Sequence, residues 1–189
     1  MGFSCATDRL LFLVYADHTA AEAAVEKGRD LRREYGLRGT PILPRHIHST
    51  LWHVCDDFCP PPHDLIVALV GRASGVSMPV FRVSFDSVES FNGGALVLRG
   101  EDGVIGLEML HEHLKAALGI KGTKVDRPSF VPHLTLLRDK HRLLSSMPVE
   151  PIEWTVSEFV LVHSLLGKTT HRVLARFPLV SPPPSGRGR

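Results

Sequence analysis

The chain contains one four-residue pattern twice. His48-Ser49-Thr50-Leu51 and His133-Leu134-Thr135-Leu136 both read His-x-Thr-Leu, 85 positions apart. Each copy lies in an apolar run that predicts a β-strand, over 45–54 and 133–138. Alternate residues of a strand face one side, so each copy presents an imidazole and a hydroxyl together on one surface. A single His-x-Thr on a strand has an ordinary structural explanation. Two copies, both followed by leucine and both in strands, call for a common one: two strands from distant parts of the chain, one from each of two similar lobes, brought to a shared cleft.

The remaining pattern supports this. An apolar strand is expected over 9–16, then a helix capped by Thr19 with Glu22 completing a capping box and ending near Tyr35, before Gly36. A loop with two prolines leads into the first motif strand. A second helix starts at Pro61 or Pro62 and ends near Gly75. An alternating strand over 79–91 meets its return strand, 95–99, through the hairpin signal Asn92-Gly93-Gly94. A third helix covers 104–118, and a basic, irregular loop over 121–132 precedes the second motif strand. Segments 154–164 and 172–179 read as a closing antiparallel pair turning at Gly167. Strands outnumber helices and several connections are hairpins, which favours an α+β fold with antiparallel sheets over a doubly wound parallel one. We read 1–180 as a single bilobal domain and the Pro-, Gly- and Arg-rich tail over 181–189 as disordered.

Composition narrows the setting. Hydrophobic residues make up 43% and charged residues 22%, ordinary for a globular protein, and a net charge of +2 is too small for a general nucleic-acid coat. Three cysteines do not make a disulfide framework and suit a reducing, cytoplasmic setting. No apolar stretch approaches the roughly 20 residues that span a membrane. The first apolar run is preceded by Asp8 and Arg9 and closed by Asp17, so it reads as a strand rather than a signal peptide.

Imidazole titrates near neutrality, so one histidine can accept a proton while another donates one. Cleaving a phosphodiester with water needs both roles: a base for the water and an acid for the departing ribose oxygen. Hydroxyls of Thr50 and Thr135, on the faces of His48 and His133, can donate to the non-bridging oxygens as charge builds on them.

The paired motifs, the context Phe130-Val131-Pro132-His133-Leu134-Thr135-Leu136-Leu137-Arg138, and the later Glu158-Phe159-Val160-Leu161-Val162-His163-Ser164 resemble the 2H phosphoesterase superfamily. Within it the chain resembles the bacterial RNA 2',3'-cyclic phosphodiesterases, also called 2'-5' RNA ligase family proteins, over residues 9–179. The resemblance implies a bilobal α+β fold, two antiparallel sheets flanking a central cleft with helices on the outer faces. It implies His48 and His133 as the catalytic pair, Thr50 and Thr135 as phosphate donors, and metal-independent opening of a ribose 2',3'-cyclic phosphate without a cofactor. Partners would be RNA ends or nucleotide cyclic phosphates, met by a monomer with no membrane attachment. The chain departs from the pattern at Trp52-His53 and at the Asn92-Gly93-Gly94 turn, where a prolyl turn is expected.

Further residues are candidates for the substrate. Trp52 has the strand parity of His48 and Thr50. Arg138 has the opposite parity from Thr135 but ends its strand and reaches the cleft rim. Arg127 and Lys124 precede the second motif and suit an RNA backbone, Phe130 a base, and Tyr15 lies on the first strand. A zinc site among His46, His48, His53, Cys55, Cys59 and His63 is disfavoured because strand parity sends His46 and His48 one way and His53 and Cys55 the other. Two alternatives accompany the RNA reading: a small-molecule cyclic phosphodiesterase of the ADP-ribose cyclic phosphate type, and an RNA-end binding module without turnover.

Overall fold

A computed structural model describes residues 7–57, 59–120, 130–140 and 144–180. In chain order the elements are β1 (Asp8–Tyr15), α1 (His18–Glu34), β2 (His48–Asp57), α2 (His63–Ala73), β3 (Phe81–Ser90), β4 (Ala95–Arg99), α3 (Ile105–Ala117), β5 (His133–Arg138), β6 (Met147–Val156), β7 (Glu158–Leu165) and β8 (Thr170–Pro178). They form two four-stranded antiparallel sheets, β2-β1-β7-β8 and β5-β4-β3-β6. The fold is the α+β arrangement expected from the sequence. Each motif strand is an edge strand of its own sheet, and β2 and β5 approach within 8 Å between Cα atoms.

Leu10, Phe12 and Val14 of the first sheet and Val83, Phe85, Leu96 and Leu98 of the second belong to one continuous buried core. The helices bind the two halves together. α1 packs against β5 and β6, and α3 against β2 and β3. The small residues Ala20, Ala21, Ala24 and Gly28 form the buried stripe of α1 and let it approach closely, with a Cβ added at Gly28 lying 3.4 Å from the Leu136 side chain.

Three expectations are corrected. The first helix is capped by Asp17, whose carboxylate accepts from the Ala20 N–H at 2.8 Å, rather than by Thr19 with Glu22. The first motif strand begins at His48 because Pro44–His46 form a 3-10 turn. The segment 154–164 is not one strand. It crosses from one sheet to the other at Ser157, leaving Trp154 and Val156 in β6 and Phe159 onward in β7. Pro148 and Pro151 lie in β6, which tolerates them because it is an edge strand. The expected disordered tail and most of the basic loop over 121–132 lie outside the described residues.

The loop between α1 and the first motif is fastened to the second motif. The Ile42 N–H donates to the Leu136 carbonyl at 2.7 Å, Pro41 bridges Leu137, and the Arg38 and Gly39 N–H groups both donate to the Asp139 carboxylate. Gly39 sits so close to β5 that a Cβ there would run into the Arg138 carbonyl. Gly39→Ala is therefore expected to destabilise the fold by about 1–3 kcal/mol, as overpacking against rigid backbone does. Chemical denaturation of the variant checks it, and an unchanged midpoint would show that the loop is not clamped.

Candidate active site

Strict alternation along β2 would put His48, Thr50 and Trp52 on one face. The pairing with β1 breaks that alternation: Leu13 faces Thr50 and Phe12 faces Trp52, leaving Leu51 as an extra residue. The same happens on β5, where Val97 faces Thr135 and Leu96 faces Leu137, leaving Leu136 extra. Each is a β-bulge at the leucine of the His-x-Thr-Leu motif, and a bulge turns every later side chain to the other face. The two leucines and the residues after them, Trp52 and Leu137, consequently all point inward: Leu51 is 2% exposed, Trp52 9%, and Leu136 and Leu137 0%.

One sequence expectation changes as a result, and Arg138 keeps its expected place for a different reason. Trp52 does not line the cleft but belongs to the core, its ring 5.4 Å from that of His111 on α3. His53 takes the cleft-facing position instead. On β5 the same switch carries Arg138 into the cleft, although simple parity turned it away. His53 and Arg138 are thus equivalent positions of the two motifs, each five residues after the histidine. Phe130 also lies away from the cleft, its ring stacked at 4.2 Å and 4° on His111. Arg127 and Lys124 lie outside the described residues.

The bulge carbonyls are met by donors from outside the ladder. The Leu51 carbonyl accepts from His111 Nδ1 at 2.8 Å and the Leu136 carbonyl from the Ile42 N–H at 2.7 Å. Tertiary structure therefore holds both kinks in place.

The result is a cleft of about 980 Å³ lined by His48, Thr50, His53, His133, Thr135 and Arg138. Both motif histidines are pinned in the same way. His48 Nδ1 donates to the His46 carbonyl at 2.6 Å, and His133 Nδ1 to the Val131 carbonyl at 2.7 Å. That bond fixes the tautomer and leaves Nε2 of each ring for the cleft. Burial pushes His48 down to about 4, assisted by the nearby His133 and His46, against the pull of its backbone hydrogen bond. Burial also lowers His133, with Arg138 and Arg99 acting in the same direction. In the free cleft both rings are neutral at pH 7, so each can accept a proton, and an anion bound between them favours their protonated forms.

The surroundings of the two histidines differ. Tyr15 stands opposite His48 in the β1–β2 register and packs edge-on at 6.1 Å. Arg99 stands opposite His133 and is paired to Glu89 at 2.8 Å, while Phe91 packs edge-on at 4.9 Å. Next to His48 are two further imidazoles, His46 and His171, the second unmarked by any motif. His53 bonds Asp56 at 2.8 Å, and Arg9 grips the same carboxylate with two bonds, holding it well below the usual carboxylate range. Among the described residues no group of three or more His, Cys, Asp or Glu side chains is arranged to hold a metal ion, and no helix is long and apolar enough to cross a membrane.

Two histidines and two threonines, a pair from each sheet, thus line one cleft. The family model of the 2'-5' RNA ligase superfamily matches residues 20–168, and the chain belongs to that family. Its structure is similar to E. coli LigT complexed with 3'-AMP, with a TM-score of 0.74 at 23% identity over 92% of this chain and 98% of that one. It is similar to TT0787 of Thermus thermophilus, with a TM-score of 0.71 at 25% identity over 90% and 97%. A crystal structure named only as a phosphoesterase gives 0.71 at 22% identity over 92% and 98%. No curated protein matches the sequence.

The buried imidazoles make stability depend on pH. His46, His48, His133 and His171 are all held below the ordinary value of 6.5, and His48 and His171 lie at about 4. Between about 4 and 6.5 the unfolded chain binds more protons than the native one, so stability falls as pH drops through that window. Urea unfolding at a series of pH values should show this acid sensitivity. A flat profile across the window would mean that these rings charge freely in the folded state.

Proposed function

We propose that the protein is a metal-independent phosphodiesterase that opens ribose 2',3'-cyclic phosphates at RNA ends. The reading rests above all on two imidazoles presenting Nε2 across one cleft, each with a threonine two residues along. One Nε2 removes the proton of the attacking water. The other delivers a proton to the ribose oxygen that leaves. Thr50 and Thr135 hydroxyls donate to the non-bridging oxygens of the pentavalent state, and Arg138, at the same rim, offsets its negative charge. With the 5'-hydroxyl of a second strand attacking in place of water and the 3'-oxygen leaving, the same groups join ends through a 2'-5' bond. LigT, which has been crystallised with 3'-AMP and with phosphate, supports a nucleotide phosphate as the occupant.

Replacing His48 or His133 by alanine is expected to lower kcat by about 10²–10⁴-fold, and replacing Thr50 or Thr135 by about 10²–10³-fold. Turnover of a cyclic-phosphate-ended oligonucleotide should survive EDTA. Loss of activity restored only by a divalent ion would overturn the metal-free scheme. Binding without any turnover by the natural chain would make it an RNA-end binding module.

A neighbouring feature favours RNA over a small cyclic phosphate such as that of ADP-ribose. A depression of about 620 Å³ on α1 is lined by Arg29, Arg32 and Arg33 and shares residues 40–43 with the lining of the cleft. From Arg29 to Arg45 the chain carries five arginines against Asp30 and Glu34, although its net charge is only +2. Glu26 and Asp30 pair with Arg29 and Arg33, and Arg32 has no ion-pair partner among the described residues. A polyanion leaving the cleft would meet these guanidinium groups next. Arg32→Glu combined with Arg33→Glu should lower the ratio of kcat/KM for a cyclic-phosphate oligonucleotide over a nucleoside 2',3'-cyclic phosphate by about tenfold at low salt. An unchanged ratio would favour the small-molecule substrate.

A further inference from the structure

The two motifs account for His48 and His133 but leave the imidazoles crowded against His48 unexplained. β8 lies at the opposite edge of its sheet from β2, yet the His171 side chain reaches the first motif. Its ring sits 5.4 Å from that of His48 and 4.3 Å from that of His46, edge to face in both cases. Its Nδ1 is 2.9 Å from the Tyr15 hydroxyl. The residue lines the cleft alongside His48, Thr50 and His133.

The hydrogen bond to Tyr15 decides what His171 offers. Burial raises the Tyr15 phenol to about 12, so it keeps its proton. Burial, followed by His48 and His46, lowers His171 to about 4, so its ring is neutral. With the phenol O–H as the donor to Nδ1, the imidazole hydrogen sits on Nε2. The buried His46 Nε2 is closed off without a partner, whereas His171 Nε2 is not among the buried unpartnered atoms and has no protein acceptor among the described residues. The ring that Tyr15 holds at Nδ1 lines the same cleft as the two motif imidazoles.

We propose that His171 is a third substrate-contacting histidine of this cleft, donating from Nε2 to a phosphoryl oxygen of the bound group, with Tyr15 as the positioning residue that sets its tautomer and angle. The proposal rests on the phosphoesterase reading for the identity of the reaction but not for the identity of the anion. It assigns the β7–β8 hairpin a part in phosphate binding that neither His-x-Thr motif supplies. It also makes the site unequal: the His48 side carries an extra neutral donor, while the His133 side carries Arg138.

Calorimetric titration with inorganic phosphate and steady-state kinetics on a cyclic-phosphate oligonucleotide test the idea with the full chain. His171→Ala should weaken phosphate binding by about tenfold or more, the effect of losing one hydrogen bond to a charged group. It should raise KM in parallel. His171→Gln, whose amide nitrogen reaches the place of Nε2, should recover binding to within about threefold. Tyr15→Phe, which keeps the donor but frees its ring, should fall between the two. Phosphate affinity unchanged in His171→Ala, or a glutamine variant as weak as the alanine variant, overturns the proposal, as does a natural chain that binds no phosphate. If phosphate binding depends on His171 while the natural chain opens no cyclic phosphate, the proposed reaction falls and the third contact stands.

Discussion

The active cleft depends on a pair of backbone kinks. At Leu51 and again at Leu136 one extra residue enters an edge strand, and each strand changes face immediately after its threonine. Without the bulge, His48 and Thr50 would be followed across the cleft by Trp52, and Arg138 would turn into the core. With it, two consecutive apolar side chains anchor each motif strand inward, while a polar side chain, His53 or Arg138, returns to the cleft. A bulge disrupts its ladder and survives where its backbone groups find other partners. Here α3 supplies His111 to one carbonyl, and the loop after α1 supplies the Ile42 N–H to the other. In both halves an element outside the motif strand's own sheet completes the motif.

This arrangement also explains why the two halves share one core. A lobe standing alone would leave its motif strand as a bare sheet edge with a kink in it. Covering each strand with segments from elsewhere satisfies the backbone and fixes the distance between the strands. The imidazoles can then be held neutral by burial, each tied at Nδ1 to the carbonyl two residues back. The mirror relation fails in the surroundings, where tyrosine and imidazoles gather about His48, and Arg99, Arg138 and Phe91 about His133. That difference gives two equivalent motifs distinct electrostatic settings.

Much of the architecture could be read from patterning. Strand periodicity located β1, β3 and β4, and the Asn92-Gly93-Gly94 turn forms as expected, with Gly94 at φ 78° and the Phe91 N–H donating to the Ala95 carbonyl. The division between β6 and β7 was hidden because only the polar pair Ser157-Glu158 separates the apolar residues on either side, with no glycine or proline to mark the crossing. Parity failed for Trp52 and Arg138 for a different reason. A bulge has no residue signature when its cause is a hydrogen bond from a helix or loop far away in sequence. His171 escaped notice because no spacing links it to the motifs; only the tertiary fold brings it to them.

The amino-acid sequence by itself determined the chemical groups and their local pairing: two His-x-Thr units on strands, embedded in an α+β pattern of antiparallel strands. Local spacing suffices for that, since imidazole and hydroxyl two residues apart share a face whatever the rest of the chain does. Tertiary structure alone decided which other side chains join them. His53, Arg138 and His171 reach the cleft, and Trp52 and Phe130 leave it, because contacts between distant segments set the bulges and the packing of the sheets.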